Sequence, residues 1–457
     1  MIIRKYLRFD YLLLMCILFF ASCMISYLTR TLILNTTICL FSTITSLCAF
    51  FAYYRRKVGL CYFFLWMEVS YLLGYLRLIK LNIFCHSVIS STYLQLALFS
   101  VLFILFYSII PVNAVLKRCK RTLVLLDDVY CNDSFLLISF IIYILFYIYK
   151  IYVSGGFYSF IFMVYAERHD PTLSYLTFLQ NIVKGSFMIA VYTSVIMKKS
   201  LKAFFLLFLL FIIGSIEGSS GFLLNFILPV IIYYLYDSIR KRKYSMINKW
   251  TITAVILLSI FLVYSSGVRV NRGTTGDTKT GFLDSISEII YGRTFDAVEN
   301  SIRIREYYKP GEHLGTHLFI YPFLNFIPRA FWHTKPIGLG KQIMYDLYDA
   351  PENTPVSFSS GVLGESYIDF GYIGIIVYAA FLSIFVKISD EILKYSGNRN
   401  LVGASLFSIQ LCLIASNIPG SPEGYLLRFV ISGIFQVVYV RVIGHFINKT
   451  GAICKSL

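Results

Sequence analysis

Runs of roughly 20 apolar residues recur along the chain, each long enough to cross a hydrocarbon core of about 30 Å as a helix. A helix satisfies its own backbone hydrogen bonds in lipid, so such runs fold as helices rather than open strands. About 12 spans are expected, starting near Tyr11, Thr31, Val58, Thr92, Phe135, Tyr175, Leu201, Gly221, Trp250, Glu365, Leu401 and Gly424. Composition agrees: 58% of residues are hydrophobic and only 14% charged, against about 25% charged in a soluble domain. The expected fold class is an all-α polytopic membrane protein. Residues 1–266 carry nine spans, 267–362 form one large outer loop, and 363–457 carry three more spans and a C-terminal segment.

The net charge of +17 is distributed as topology requires, and nucleic acid is not an expected partner. Basic clusters occupy alternate connections: Arg4/Lys5/Arg8, Arg55/Arg56/Lys57, Lys117/Arg118/Lys120/Arg121, Lys198/Lys199/Lys202, Arg240–Lys243, Lys387/Lys394/Arg399 and Arg441/Lys449/Lys455. Cytoplasmic loops are enriched in Lys and Arg, which places both termini in the cytoplasm and the long loop outside. That loop has ten basic residues, but long loops translocate largely regardless of charge. The N-terminal apolar run has a basic flank and no small-residue cleavage site, so it reads as an uncleaved first span. The loop from Gly267 to Gly361 has no cysteine, and no C-x-x-C pair occurs in the chain, which argues against a disulfide framework or a zinc site.

Within the loop, Ser285-Ile-Ser-Glu288 has the form of a capping box. Apolar Ile286, Ile289, Ile290, Val298 and Ile302 follow at near-helical spacing, and the helix should stop before Pro310. Leu318–Trp332 is aromatic but broken by Pro322 and Pro328, which suits an interfacial or re-entrant element. Arg269, Arg272, Arg293 and Arg329 are candidate phosphate-binding groups, because a guanidinium fork matches phosphate oxygens bidentately; surface charge is the competing reading of each. His313 and His317 are spaced i, i+4, but the glutamate of H-E-x-x-H is missing and Gly315 disfavours a helix, so surface or single-base roles fit better than zinc. No D-x-D, G-x-S-x-G or Walker A sequence is present. Glu68, Arg77, Lys184 and Glu217 lie in or at the ends of spans, where ionisable groups serve function or interhelical pairing.

Pro328-Arg329, Trp332, Lys335-Pro336 and the stretch Gly361-Val-Leu-Gly364-Glu365-Ser-Tyr367-Ile-Asp369-Phe370-Gly371-Tyr-Ile-Gly374 together resemble the outer-loop signature of bacterial O-antigen polymerases, the oligosaccharide repeat unit polymerases. An Arg-x10-Gly spacing described for that family can be read from Arg329 to Gly340. The resemblance covers mainly residues 267–375. It implies a fold like the C-type lipid-donor glycosyltransferases, in the bacterial inner membrane, and a metal-independent transfer of a growing glycan from undecaprenyl diphosphate onto an incoming lipid-linked repeat unit. No cofactor is expected. Membrane lipids are expected partners, and a polysaccharide chain-length regulator is one the resemblance raises. Preorganised arginines stabilise a departing diphosphate, which assigns Arg269, Arg272, Arg293 and Arg329 to diphosphate binding. The acceptor hydroxyl needs a base, for which Glu365 comes first, followed by His313 and Asp369; a structural pairing of Glu365 with an arginine competes. Two alternatives stand beside this reading. An O-antigen ligase is expected to carry a histidine where this chain has Ser357-Phe-Ser-Ser360, and a transporter or flippase of lipid-linked oligosaccharide does not need the arginine-bearing loop.

Overall fold

The computed structural model describes residues 32–153, 156, 171–198, 296–324, 332, 337–350, 358–417, 420 and 422–456, with single positions and short stretches between 205 and 240. Secondary structure among the described residues is helical, without strands. Among the described residues, six helical stretches are long and apolar enough to cross a membrane: Thr36–Tyr54, Val58–Leu81, His86–Ile109, Asp133–Val153, Gly361–Asn398 and Pro422–Ile447. They fall where spans were expected from Thr31, Val58, Thr92, Phe135, Glu365 and Gly424. The protein is thus an α-helical membrane protein. The expected spans from Tyr11, Leu201 and Trp250, and most of that from Gly221, lie outside the described residues.

In chain order the first six described helices are α1 (Leu32–Tyr54), α2 (Val58–Leu81), α3 (His86–Ile109), α4 (Asn113–Tyr130), α5 (Asp133–Val153) and α6 (Pro171–Lys198). Next come α7 (Ala297–Tyr307), the short α8 (Tyr321–Leu324) after a π-turn at Thr316–Ile320, and α9 (Leu339–Tyr348). The last part contains α10 (Gly361–Phe370), α11 (Gly374–Asn398), α12 (Val402–Ser416), α13 (Pro422–Val430) and α14 (Gln436–Ser456). Helices α1, α2, α3, α11 and α12 form the core. Its interior is aromatic: Phe63 stacks on Phe103 at 4.1 Å and the Tyr93 hydroxyl donates to the Tyr71 carbonyl at 2.6 Å. Glu68, buried in this core, accepts hydrogen bonds from Ser42 (2.6 Å) and Ser46 (2.9 Å), so the bundle meets its hydrogen-bonding demand with hydroxyls.

Two sets of contacts define the ends of the bundle. At the basic end, Asp390 of α11 accepts from the Gly59 and Leu60 amides (2.7 and 3.0 Å) and from the Tyr107 hydroxyl (2.8 Å). A carboxylate on the first amides of α2 acts as a helix cap supplied by another helix. Lys57 pairs with Glu391 beside it. At the opposite end, Arg77 of α2 pairs with Glu299 of α7 at 2.8 Å, and Arg305 of α7 donates to Gln95 and Thr92 of α3. Helix α7 therefore sits on the end remote from Arg55–Lys57.

Two expectations differ from what is seen. The basic segment around Lys117–Arg121, expected as a simple connection, is the helix α4. Leu123, Leu126 and Tyr130 recur at helical spacing and are buried, while Lys117, Arg118, Lys120 and Arg121 are exposed. Asp127 on α4 accepts from the Gly403 and Ala404 amides at 2.7 and 3.3 Å, capping α12. The span expected from Leu401 appears as α12, of 15 residues, about 22 Å long and short of a 30 Å core.

Candidate active site

The candidate site lies where helix α10 meets α11. Helix α10 does not continue straight into α11. Gly371 has φ +62, and a Cβ on Gly374 would fall on the Ser366 carbonyl. Residues eight apart in a straight helix lie about 12 Å apart along the axis, so α10 folds back onto the first turns of α11. The span expected to begin near Glu365 is interrupted here, because only glycine tolerates the turn at 371.

The last carbonyls of an α-helix lack intrahelical partners. Those of α10 are met by a loop: the amides of Gly311, His313 and Gly315 donate to Tyr367, Ile368 and Asp369 at 3.0, 3.0 and 3.1 Å. Gly311 and Gly315 have φ of +73 and +78, and a Cβ on Gly315 would meet the Phe370 ring at 2.6 Å. The two histidines thus do not share a regular helix; Gly315 separates them, as its sequence position implied.

This loop brings His317 onto Asp369. The imidazole Nδ1 lies 2.7 Å from Asp369 Oδ1, with both residues buried. Asp369 also accepts from the His317 and Leu318 amides (3.3 and 3.0 Å) and from the Tyr378 hydroxyl (2.7 Å). A carboxylate accepts and does not donate, so Nδ1 carries the proton and Nε2 is the basic nitrogen. Asp369 is held by four donors and acts as the group that orients His317. His313 lies beside them, its ring 5.0 Å from that of His317. Its Nε2 is buried with no hydrogen-bond partner among the described residues. Burial, then the neighbouring His317, holds the His313 pKa below the usual histidine range.

Glu365, one turn before Asp369, is also buried. It accepts from the Ser360 hydroxyl and from the Glu423 amide, the latter at 2.9 Å. Glu423 in turn accepts from the Leu339 amide at 2.9 Å. Each carboxylate therefore sits on the first turn of another helix, α13 and α9 respectively, where negative charge is favoured. Its partners are hydroxyl and amide groups, where sequence reasoning had offered an arginine.

Helix α7 fixes this assembly to the bundle. Gly361 and Gly364 of α10 face Ser301: the Gly364 amide donates to Ser301 Oγ at 3.2 Å, and Ser301 Oγ donates to the Ser360 carbonyl at 3.1 Å. Glu299 receives Arg77 at 2.8 Å, Arg303 at 3.0 Å and the Tyr348 hydroxyl at 3.2 Å. Helix α7 ends at Tyr307, ahead of Pro310 as expected. Asp296, just before it, is buried, and burial pushes its pKa up to about 7.

No family model, curated protein or solved structure matches this chain. The site therefore has to be read from its own groups. Of the residues singled out in the sequence, His313, Glu365 and Asp369 come together. Arg269, Arg272, Arg293 and Arg329 all lie outside the described residues, as do Ser285–Glu288 and the Pro328 and Lys335-Pro336 elements. Arg77, Arg303 and Arg305 are engaged with protein groups; Arg303 also lies over the Phe84 and Tyr348 rings at 5.6 and 5.1 Å. Among the described residues no group of three or more His, Cys, Asp and Glu side chains is arranged to hold a metal ion. Sequence reasoning missed Tyr378 and Glu423, which no local spacing connects to the site. It weighed His317 only beside His313, as a surface or single-base histidine or a zinc ligand, whereas the structure buries it against Asp369.

Proposed function

We propose that this protein is a glycosyltransferase that polymerises undecaprenyl-diphosphate-linked oligosaccharide repeat units into O-antigen or a related surface polysaccharide at the periplasmic face of the bacterial inner membrane. The observation that carries the reading is the buried pair of His317, in the π-turn at Thr316–Ile320, with Asp369 of α10; Asp369 lies within the stretch that resembles the polymerase signature. An acceptor sugar hydroxyl must lose a proton as it attacks, and a histidine oriented through its other nitrogen by a carboxylate serves as the base.

The step balances with groups from this chain and its substrates. The acceptor oxygen forms a bond to the anomeric carbon of the growing glycan as its proton passes to His317 Nε2. The bond from that carbon to the diphosphate breaks, and undecaprenyl diphosphate leaves with the electron pair. Arg269, Arg272, Arg293 and Arg329 are assigned to the leaving diphosphate, and Glu365 and Glu423 to holding α10, α13 and α9 around the base. The site's position on the end of the bundle remote from Arg55–Lys57 supports an outward-facing reaction with cytoplasmic termini.

The experiment is reconstitution of the purified protein in nanodiscs with the lipid-linked repeat unit, without nucleotide, resolving products by size. A ladder at multiples of one repeat supports polymerisation. Transfer only to added lipid A-core assigns a ligase, and transbilayer movement of the lipid without transfer assigns a transporter.

A further inference from the structure

A second feature lies at the opposite, basic end of the bundle. Between α4 and α14 there is a cavity of about 260 Å³, with Arg121, Asp128 and Asn132 as its polar lining and Val124, Leu125 and Ile447 among its apolar walls. Its depth is fixed by the helices that border it. Asn132 immediately precedes the candidate span Asp133–Val153. A cavity at the start of a span lies where lipid headgroups lie. Leu137 and Ile141, further along α5, and Val442 of α14 are exposed apolar side chains, as a lipid-facing surface requires.

The charges in this cavity are of both signs and apart. Arg121 and Asp128 are exposed and, among the described residues, neither makes an ion pair. They stand two helical turns apart on one face of α4, about 10.5 Å along the axis. Asn132 turns its oxygen to the Ser134 amide at 2.8 Å, which leaves its NH2 group as a donor. Arg121 and Asn132 suit a phosphate, and Asp128 suits an ammonium that still carries hydrogens. A purely anionic headgroup leaves Asp128 facing like charge, and a quaternary ammonium offers it no N–H.

We propose that the cavity between α4 and α14 binds a zwitterionic phospholipid headgroup of the phosphoethanolamine class, its phosphate on Arg121 and its ammonium on Asp128. The site is independent of the glycosyltransferase reading.

Native mass spectrometry of the detergent-purified full chain tests it, with phosphatidylethanolamine, phosphatidylglycerol and phosphatidylcholine titrated separately. In the wild type, phosphatidylethanolamine is retained roughly tenfold more tightly than either of the others. Asp128→Asn lowers that affinity by a similar factor and leaves phosphatidylglycerol binding unchanged or stronger; Arg121→Gln weakens both. Equal binding of the three lipids to the wild type overturns the proposal without recourse to any variant, as does Asp128→Asn binding that matches the wild type. Competition by soluble glycerophosphoethanolamine as strong as by the lipid overturns the membrane source of the ligand.

Discussion

His317 Nδ1 lies 2.7 Å from Asp369 Oδ1, and this pair joins the segment between α7 and α8 to helix α10, which leads into α11. The loop reaches it because Gly311, His313 and Gly315 finish the hydrogen bonding of α10. The proposed chemistry and the architecture therefore share the same residues. Tyr378, from the first turns of α11, supplies the fourth donor to Asp369. Tyr378→Phe removes that donor while keeping the ring, and should cost about 1 kcal/mol of stability. A thermal melt in detergent reads this directly; an unchanged melt would mean the hydroxyl is not engaged.

The α7–α10 crossing depends on two glycines. Gly361 has φ +69, and its Cβ would press on Ser301 Oγ and the Ala297 carbonyl. At Gly364 a Cβ would lie 2.7 Å from Ile304 Cδ1 and 3.2 Å from Ser301 Cα. Gly361→Ala should destabilise by about 1–3 kcal/mol through strain and overpacking together. Limited proteolysis of the 296–350 segment checks it: the variant should be cut faster than wild type, and equal rates would contradict tight docking of α7.

Glu299 holds three donors from three elements, with 3% of its side chain exposed. Glu299→Ala removes the carboxylate paired with Arg77 at 2.8 Å and leaves that guanidinium, itself 14% exposed, with the neighbouring Asp296, which should cost about 1–3 kcal/mol. The double variant Arg77→Met/Glu299→Leu should recover part of that loss. Chemical denaturation of the two variants decides the matter, and equal losses would show that packing rather than charge pairing dominates.

Much of this was legible beforehand, and the rest was not for physical reasons. The spans from Thr31, Val58, Thr92 and Phe135 follow from apolar run length alone, because lipid imposes that length. Helix α4 resembles a connection in sequence because its four cations outweigh a buried stripe of Leu123, Leu126 and Tyr130 when the segment is judged by polarity. The stop before Pro310 and the break at Gly315 are local backbone chemistry and were visible. The contacts of Glu365 with the Glu423 amide and of Asp369 with His317 span more than fifty residues, and no periodicity encodes them. The turn at Gly371 was hidden inside an apolar run, where a glycine reads as part of the span.

Asp296 makes stability depend on pH. Its pKa is raised to about 7 by burial, so the native state holds a proton that the unfolded chain releases near pH 4. The favourable contribution is complete below the unfolded value, declines as pH rises and is gone above about 7. Asp296→Asn should flatten the melting temperature between about pH 4 and 7 and stabilise the protein at pH 8 relative to wild type. Parallel pH profiles for the two proteins would contradict the burial argument.

The central claim is that His317, oriented by Asp369, accepts the proton of the attacking sugar hydroxyl. The most direct test is the pH dependence of single-turnover glycan transfer in nanodiscs for wild type, His317→Ala and Asp369→Asn. The account predicts a wild-type rate that rises with the deprotonation of one group. It also predicts losses of at least about 100-fold in both variants, with that pH dependence gone in His317→Ala and bound lipid-linked substrate retained. Transfer by His317→Ala at the wild-type rate, with its pH dependence intact, would contradict it.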